Sequence, residues 1–214
     1  DSLRLATGEA PYVADLKFEG MVHGALKFSN HPRAKVLKIN TSFAEKLDGV
    51  LRVFTAEDIP GQRFTGLIVP DWPLMLQVGE TTRYVGDVLA GVVAETEQIA
   101  REAVALIEVE YEILTPVTDP FAALSAESPK IHESGNLLSN TEIERGDANQ
   151  AEKESAFVTK GTYKTQRIEH AFLEIECCVV KPMEDGVEVF SQSQGVYEDR
   201  NSISKILGLP SEKV

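Results

Sequence analysis

Three hydrophobic periodicities follow one another between Val88 and Ile113, and no other stretch of the chain constrains the fold as tightly. Val88–Ala94 is an uninterrupted apolar run, the pattern of a strand buried on both faces. Thr96 can cap a helix, and Glu97 suits the positive end of its dipole. Ile99, Ala100, Ala103, Val104 and Ile107 then recur at helical spacing on one side. Glu108 to Ile113 alternates strictly, which predicts a strand with a wet acidic face and a buried apolar one. Strand, amphipathic helix and strand together close one α/β layer.

Upstream, strands are expected over Met21–Ser29, Ala34–Asn40 and Val50–Phe54, with a short helix from Thr41-Ser42 to Leu47 closed by Asp48-Gly49. Residues 55–80 contain three prolines and three glycines, so they read as loop with short strands. Downstream, Pro116, Pro120 and Pro129 break the pattern, and Ser125–Asn149 is poor in apolar residues, a linker over a surface. Asp147 can cap a short helix reaching Glu154. Ala156–Ile168, Glu174–Lys181 and Val187–Ser193 read as strands, with Glu184-Asp185-Gly186 turning the last two into a hairpin. Tyr197–Leu207 reads as a helix ended by Gly208 and Pro210. The expected organisation is a mixed α/β (α+β) fold: one domain over 1–125, a surface linker over 126–155, and a second unit beginning at 156 and cut short at 214. That unit has little to pack against, so the natural polypeptide is expected to continue and the unit to be the less stable part.

A net charge of −13 repels phosphate backbones, and no polybasic run offers a membrane-surface patch. No apolar run reaches bilayer-spanning length. Nucleic acid and membrane are therefore not expected partners. Cys177 and Cys178 are adjacent. On a strand they point to opposite faces, so they neither pair nor chelate together. Two small residues packed in a strand, in a reducing cytoplasm, fit them best.

His23, His31, His132 and His170 lack metal-ligand spacing, and neither a phosphate-binding glycine motif nor a nucleophile elbow is present. Glu108, Glu110 and Glu112 read as a solvated strand face rather than an acid–base pair. Two segments stand out. Gln166–Glu174 crowds amide, cation, carboxylate and imidazole before an apolar strand, and its plain reading is a polar turn capping backbone groups. Ser191-Gln192-Ser193-Gln194-Gly195 joins a strand end to a helix start, where unpaired N–H groups and neutral amides can meet a ligand. A simple loop explains it equally well.

Several motifs in order resemble one family. Thr7–Asp15, Phe54-Thr55-Ala56-Glu57-Asp58-Ile59-Pro60-Gly61, and the stretch from Tyr84-Val85-Gly86-Asp87 to Val109-Glu110-Tyr111-Glu112 resemble the α/β hammerhead domain of xanthine dehydrogenases and aldehyde oxidases. Glu169-His170-Ala171-Phe172-Leu173-Glu174, Asp185-Gly186 to Gln194, and Leu207-Gly208-Leu209-Pro210 resemble the opening of that family's molybdenum-cofactor domain. The resemblance covers nearly the whole chain. Overall similarity is greatest to bacterial purine-type dehydrogenases, the selenium-dependent group included.

The resemblance implies a parent enzyme that hydroxylates a purine such as xanthine or hypoxanthine, or an aldehyde, with oxygen from water. It implies a molybdenum cofactor (molybdopterin), with iron–sulfur clusters and FAD on other domains or subunits. Gln194 matches the glutamine whose amide donates to an oxo ligand of the metal, a role that orients and tunes the centre. The register from Leu207-Gly208-Leu209-Pro210 selects Gln194 over Gln192. The family's glycine-rich motif, substrate-binding residues and catalytic glutamate lie further along than Val214. No catalytic or metal-ligating residue is therefore expected within the chain, and the chain alone is expected to be inactive. Two other readings stand beside this one: a structural module docking iron–sulfur or flavin partners, and a small acidic binding domain with a pocket within residues 1–120.

Overall fold

The computed structural model describes residues 2–214. In chain order its main elements are α1 (Ser2–Ala6), β1 (His23–Phe28), β2 (Ala34–Asn40), β3 (Val50–Phe54), β4 (Phe64–Thr65), β5 (Trp72–Pro73), β6 (Val88–Ala94), α2 (Glu97–Leu106), β7 (Glu108–Ile113), α3 (Ala148–Glu154), β8 (Cys178–Pro182), β9 (Val187–Ser191) and α4 (Val196–Leu207). The chain divides into two units. One runs to Pro116 and resumes at Glu174–Val214; the other is Val117–Leu173.

The first unit is organised around β6, which lies between β1 and β3 with both pairings antiparallel. Its apolar run has a core on each side. Ala90 and Val92 join Ala44, Ala103 and Ile107, so α2 covers that face. Leu89 joins Val36 and Leu76 in a second cluster. The Thr96 hydroxyl accepts the Ile99 amide at 3.2 Å and starts α2 where the sequence places it.

β7 pairs antiparallel with β2 and meets the expected alternation: Glu108, Glu110 and Glu112 are exposed, and Val109 and Tyr111 are half-buried. The acidic face is answered across the ladder, Lys38 Nζ to Glu110 at 3.4 Å and the Asn40 amide to Glu108 at 3.1 Å. Ile113 departs from the pattern, at 61% exposed.

Thr41–Leu47 forms successive turns rather than the expected helix, although Ala44 is fully buried. The Asn40 side-chain oxygen takes both the Ser42 amide and its hydroxyl. One helical bond forms, from the Glu45 amide to the Thr41 carbonyl at 3.0 Å, but the Leu47 amide reaches back only three residues, to Ala44, so the turn does not propagate into a helix.

The β8–β9 hairpin turns where Glu184-Asp185-Gly186 predicts, with the Met183 amide donating to the Gly186 carbonyl at 2.9 Å. It packs Phe190 against Phe18, ring centroids 6.0 Å apart. The strand expected from Glu174 begins only at Cys178. Cys178 is exposed and Cys177 lies before the strand, so the two thiols are free but not packed side by side within it.

In the second unit, α3 forms with the Asp147 carboxylate accepting the Gln150 amide at 2.8 Å. The strand expected over Ala156–Ile168 is absent, and its apolar side chains are exposed: Phe157 at 93%, Tyr163 at 91% and Ile168 at 73%. An extended segment becomes a strand only by pairing, and no described residue pairs with this one.

Candidate functional site

The loop between β9 and α4 presents two glutamines with opposite fates. Gln192 is spent on the scaffold. Its amide nitrogen donates to the Ile175 carbonyl and its oxygen accepts the Cys177 amide, the latter at 3.1 Å. Those two bonds tie the end of β9 to the start of β8. Gln194 is exposed and makes no hydrogen bond to any described residue. Its donor and acceptor are both available at the mouth of a helix.

Gly195 follows as the N-cap of α4, with no side chain capping the helix and its own amide held by Ser193 Oγ at 3.0 Å. A cavity of about 390 Å³ opens between β9 and α4, bordered by Ser191, Ser193, Val196, Arg200 and Ile203. Gln194 is not among its lining residues, so the loop directs alternate side chains to different sides.

The other end of α4 is held unusually well. Gly208, at φ 65°, gives the left-handed cap, and the Gly208 and Leu209 amides both return to the Ser204 carbonyl. The next two carbonyls are satisfied from another part of the chain. The Gly61 amide donates to Ile206 and the Gln62 amide to Lys205, each at 2.9 Å. A Cβ on Gly61 would lie 2.1 Å from the Lys205 carbonyl oxygen and 2.7 Å from that of Ile206.

The two motifs preceding this contact have architectural roles. Within Phe54–Gly61, the Thr55 amide donates to the Asp58 carboxylate at 2.8 Å, and Arg52 binds the same carboxylate at 3.0 Å. The Thr55 amide first and the Arg52 guanidinium next hold the Asp58 carboxyl below its ordinary pKa. After Gly61, Arg63 grips Glu80 with two nitrogens, at 2.9 and 2.6 Å, and also reaches the Met75 carbonyl. Burial works against ionisation of Glu80, but Arg63 and the Gln77 amide outweigh it and its pKa is lowered. In Tyr84–Asp87, the buried Asp87 carboxylate accepts the Arg83 amide at 2.7 Å. Here burial prevails and raises the pKa.

Gln166–Glu174 forms neither strand nor helix. The Glu169 carboxylate accepts the amides of His170 and Ala171, as in a polar turn, and His170 stacks on Phe172 with centroids 5.3 Å apart. Glu174 instead receives the Val13 amide at 3.0 Å, joining β8's approach to the Thr7–Asp15 motif. Sequence reasoning gave Glu174 no such role, because its partner is 161 residues away. Among the described residues no group of three or more His, Cys, Asp or Glu could hold a metal ion.

The matches to known proteins follow the same division of motifs. The a/b hammerhead domain of aldehyde oxidase and xanthine dehydrogenase matches residues 7–115, and the molybdopterin cofactor-binding domain matches residues 131–214. This chain therefore belongs to the aldehyde oxidase and xanthine dehydrogenase family. It is 37% identical to a probable xanthine dehydrogenase subunit of Bacillus subtilis (strain 168), over 97% of this chain and 28% of that protein. It is 33% identical to the nicotinate dehydrogenase large molybdopterin subunit of Eubacterium barkeri, over 100% of this chain and 50% of that one. Among solved structures, quinoline 2-oxidoreductase from Pseudomonas putida 86 superposes with a TM-score of 0.83 at 28% identity, covering 99% of this chain and 28% of that one. The chain thus spans half or less of the length of these relatives.

Proposed function

We propose that this chain is the hammerhead domain (residues 1–125), a surface linker (126–155) and the start of the molybdopterin-binding domain (156–214) of a molybdenum hydroxylase that oxidises a purine such as xanthine or hypoxanthine. The bound cofactor would supply the oxidising metal centre, and iron–sulfur and flavin domains or subunits would carry the electrons away. This chain's part is to position. Gln194 would donate its side-chain N–H to the cofactor, fixing and polarising it. Gln192 and α4 would hold that amide in place from either side.

The observation that carries the reading is the contrast between the glutamines. Gln192 has both amide functions engaged by backbone, and Gln194 has both free at an exposed helix start. The residues fit a cofactor contact of this limited kind. One amide cannot retain so large a ligand, so the isolated chain is expected to purify without molybdenum.

In the full-length enzyme, Gln194→Ala is expected to lower kcat or metal affinity by about 10- to 100-fold, the usual cost of removing a supporting contact at a metal centre. Wild-type kcat with wild-type molybdenum content would remove Gln194 from the site. The purine assignment rests on the name of the Bacillus subtilis relative. Faster turnover of nicotinate or an aldehyde than of xanthine would replace it.

A second reading, a docking module without chemistry of its own, is favoured by the uncovered side chains of Phe157, Tyr163 and Leu138, the last 98% exposed. It predicts that the purified full-length parent lacks molybdenum while still binding iron–sulfur or flavin partners.

A further inference from the structure

We infer that Gly61, with the neighbouring Gln62 amide, is a positioning element for Gln194, acting through α4. The inference rests on the proposed role of Gln194. The path between them is short and stiff. Gly61 and Gln62 hold the C-terminal carbonyls of α4. The helix has 12 residues and so extends about 18 Å as a single hydrogen-bonded rod. Gln194 stands one residue before its N-cap, and Gln192 pins the chain just upstream. Any tilt of α4 therefore falls on the three residues between the Gln192 anchor and the helix.

The loop carrying Gly61 is the fixed side of this contact. Three residues earlier Asp58 is locked by the Thr55 amide and Arg52, and two residues later Arg63 is clamped to Glu80. Pro60 stiffens the span between. On α4 the obstructing atoms are backbone carbonyls, which cannot swing aside as a side chain could. A methyl group at position 61 would have to retreat by roughly 1 Å to turn the 2.1 Å approach into an ordinary C···O contact. With the loop anchored on both sides, α4 gives way. A misplacement of about 1 Å at a reacting centre can cost on the order of 100-fold in rate. This also accounts for Gly at the end of Phe54–Gly61: the motif docks on the helix that presents Gln194.

The test is a double-mutant cycle in the full-length enzyme, with Gly61→Ala, Gln194→Ala and both together. Gly24→Ala serves as the control, since a Cβ there meets only an ordinary contact at 3.9 Å. Three quantities are read: molybdenum per chain, the kcat and KM split, and the electron paramagnetic resonance spectrum of the partly reduced metal.

G61A is expected to keep molybdenum within about twofold of wild type and KM within about threefold. It should lower kcat about 10- to 100-fold and shift the resonance spectrum as Q194A does. The double variant should be no worse than Q194A alone, because the two changes remove one function. Losses that multiply, or a G61A enzyme indistinguishable from G24A, overturn the inference while leaving Gln194 in its proposed role. If Q194A itself behaves as wild type, the underlying reading fails instead. Should G61A not accumulate as folded protein, Gln62→Pro carries the same cycle. It deletes one donor to α4 and puts its ring Cδ against the Lys205 carbonyl, with an expected loss of about three- to tenfold, again absent in the Q194A background.

Discussion

The strand β6 and the segment 156–168 are both expected as strands, and they end in opposite states. In β6, Leu89 and Ala90 are fully buried, Val92 nearly so, and the strand is paired on both edges. Across 156–168 no residue is buried and no strand forms. The difference lies in what stands nearby. β6 is followed at once by α2, which packs on one face, while β1 and β3 pair its edges and Val36 and Leu76 close the other face. The segment 156–168 has no local element with an apolar face to offer. A hydrophobic run becomes structure when its partner is present, and local contacts supply that partner most cheaply.

Hydrogen exchange should separate the two regions most widely. Amides in the middle of β6 are expected to exchange at least about 1000-fold more slowly, relative to intrinsic rates, than those of 156–168. Similar protection in both would mean that the second segment finds a partner in solution.

Truncation of side chains should sharpen the contrast next. Leu89→Ala is expected to cost about 2–5 kcal/mol, whereas Leu138→Ala, at a position 98% exposed, should change stability by no more than about 0.5 kcal/mol. Urea titrations read both, and a comparable loss at Leu138 would reveal a hidden core in the second unit.

Ion pairs come third. Glu80→Gln breaks a half-buried clamp that also receives the Gln77 amide, and a loss of about 1–3 kcal/mol is expected. Glu152→Gln removes an exposed pairing with Lys160 and should cost about 0.5 kcal/mol or less. The clamp also has a pH signature. Because the folded-state pKa of Glu80 is lowered, its stabilisation is fully present above the ordinary glutamate value of about 4.3. It is lost as pH falls below that value through the folded pKa. The Tm gap between wild type and E80Q should therefore stay constant near neutrality and narrow in acid. A gap that widened in acid would contradict the assignment.

The helix caps make the smallest and finest comparison. Thr96→Ala and Asp147→Ala each remove a side-chain acceptor and should each cost about 1 kcal/mol. Loss of the Thr96 cap should lower the global Tm. Loss of the Asp147 cap should fray α3 alone, seen as faster exchange of its amides at unchanged Tm.

Much of the first unit was legible because its information is local. β2, β3, β6 and β7 begin and end where hydrophobic patterning places them, and the Thr96 and Asp147 caps announce their helices. Before β8, a contact outside the local window decided. The bends before Cys178 follow from bonds to Gln192, just past the end of the partner strand. The candidate loop itself was visible, as a strand end meeting a helix start. What its two glutamines do was not, since nothing local distinguishes them.

By itself the sequence determined the elements β6, α2 and β7, the β8–β9 hairpin and the family, because periodicity, caps and turn residues act over a few positions and motifs keep their order; that β6 and β7 fall in separate sheets it did not. Only the tertiary structure decided that Gln192 braces β8, that Glu174 holds the Val13 amide, and that Gly61 closes the end of α4. Those bonds join residues far apart in the chain, and whether a given amide or carbonyl is spent or free depends on what the fold brings to it.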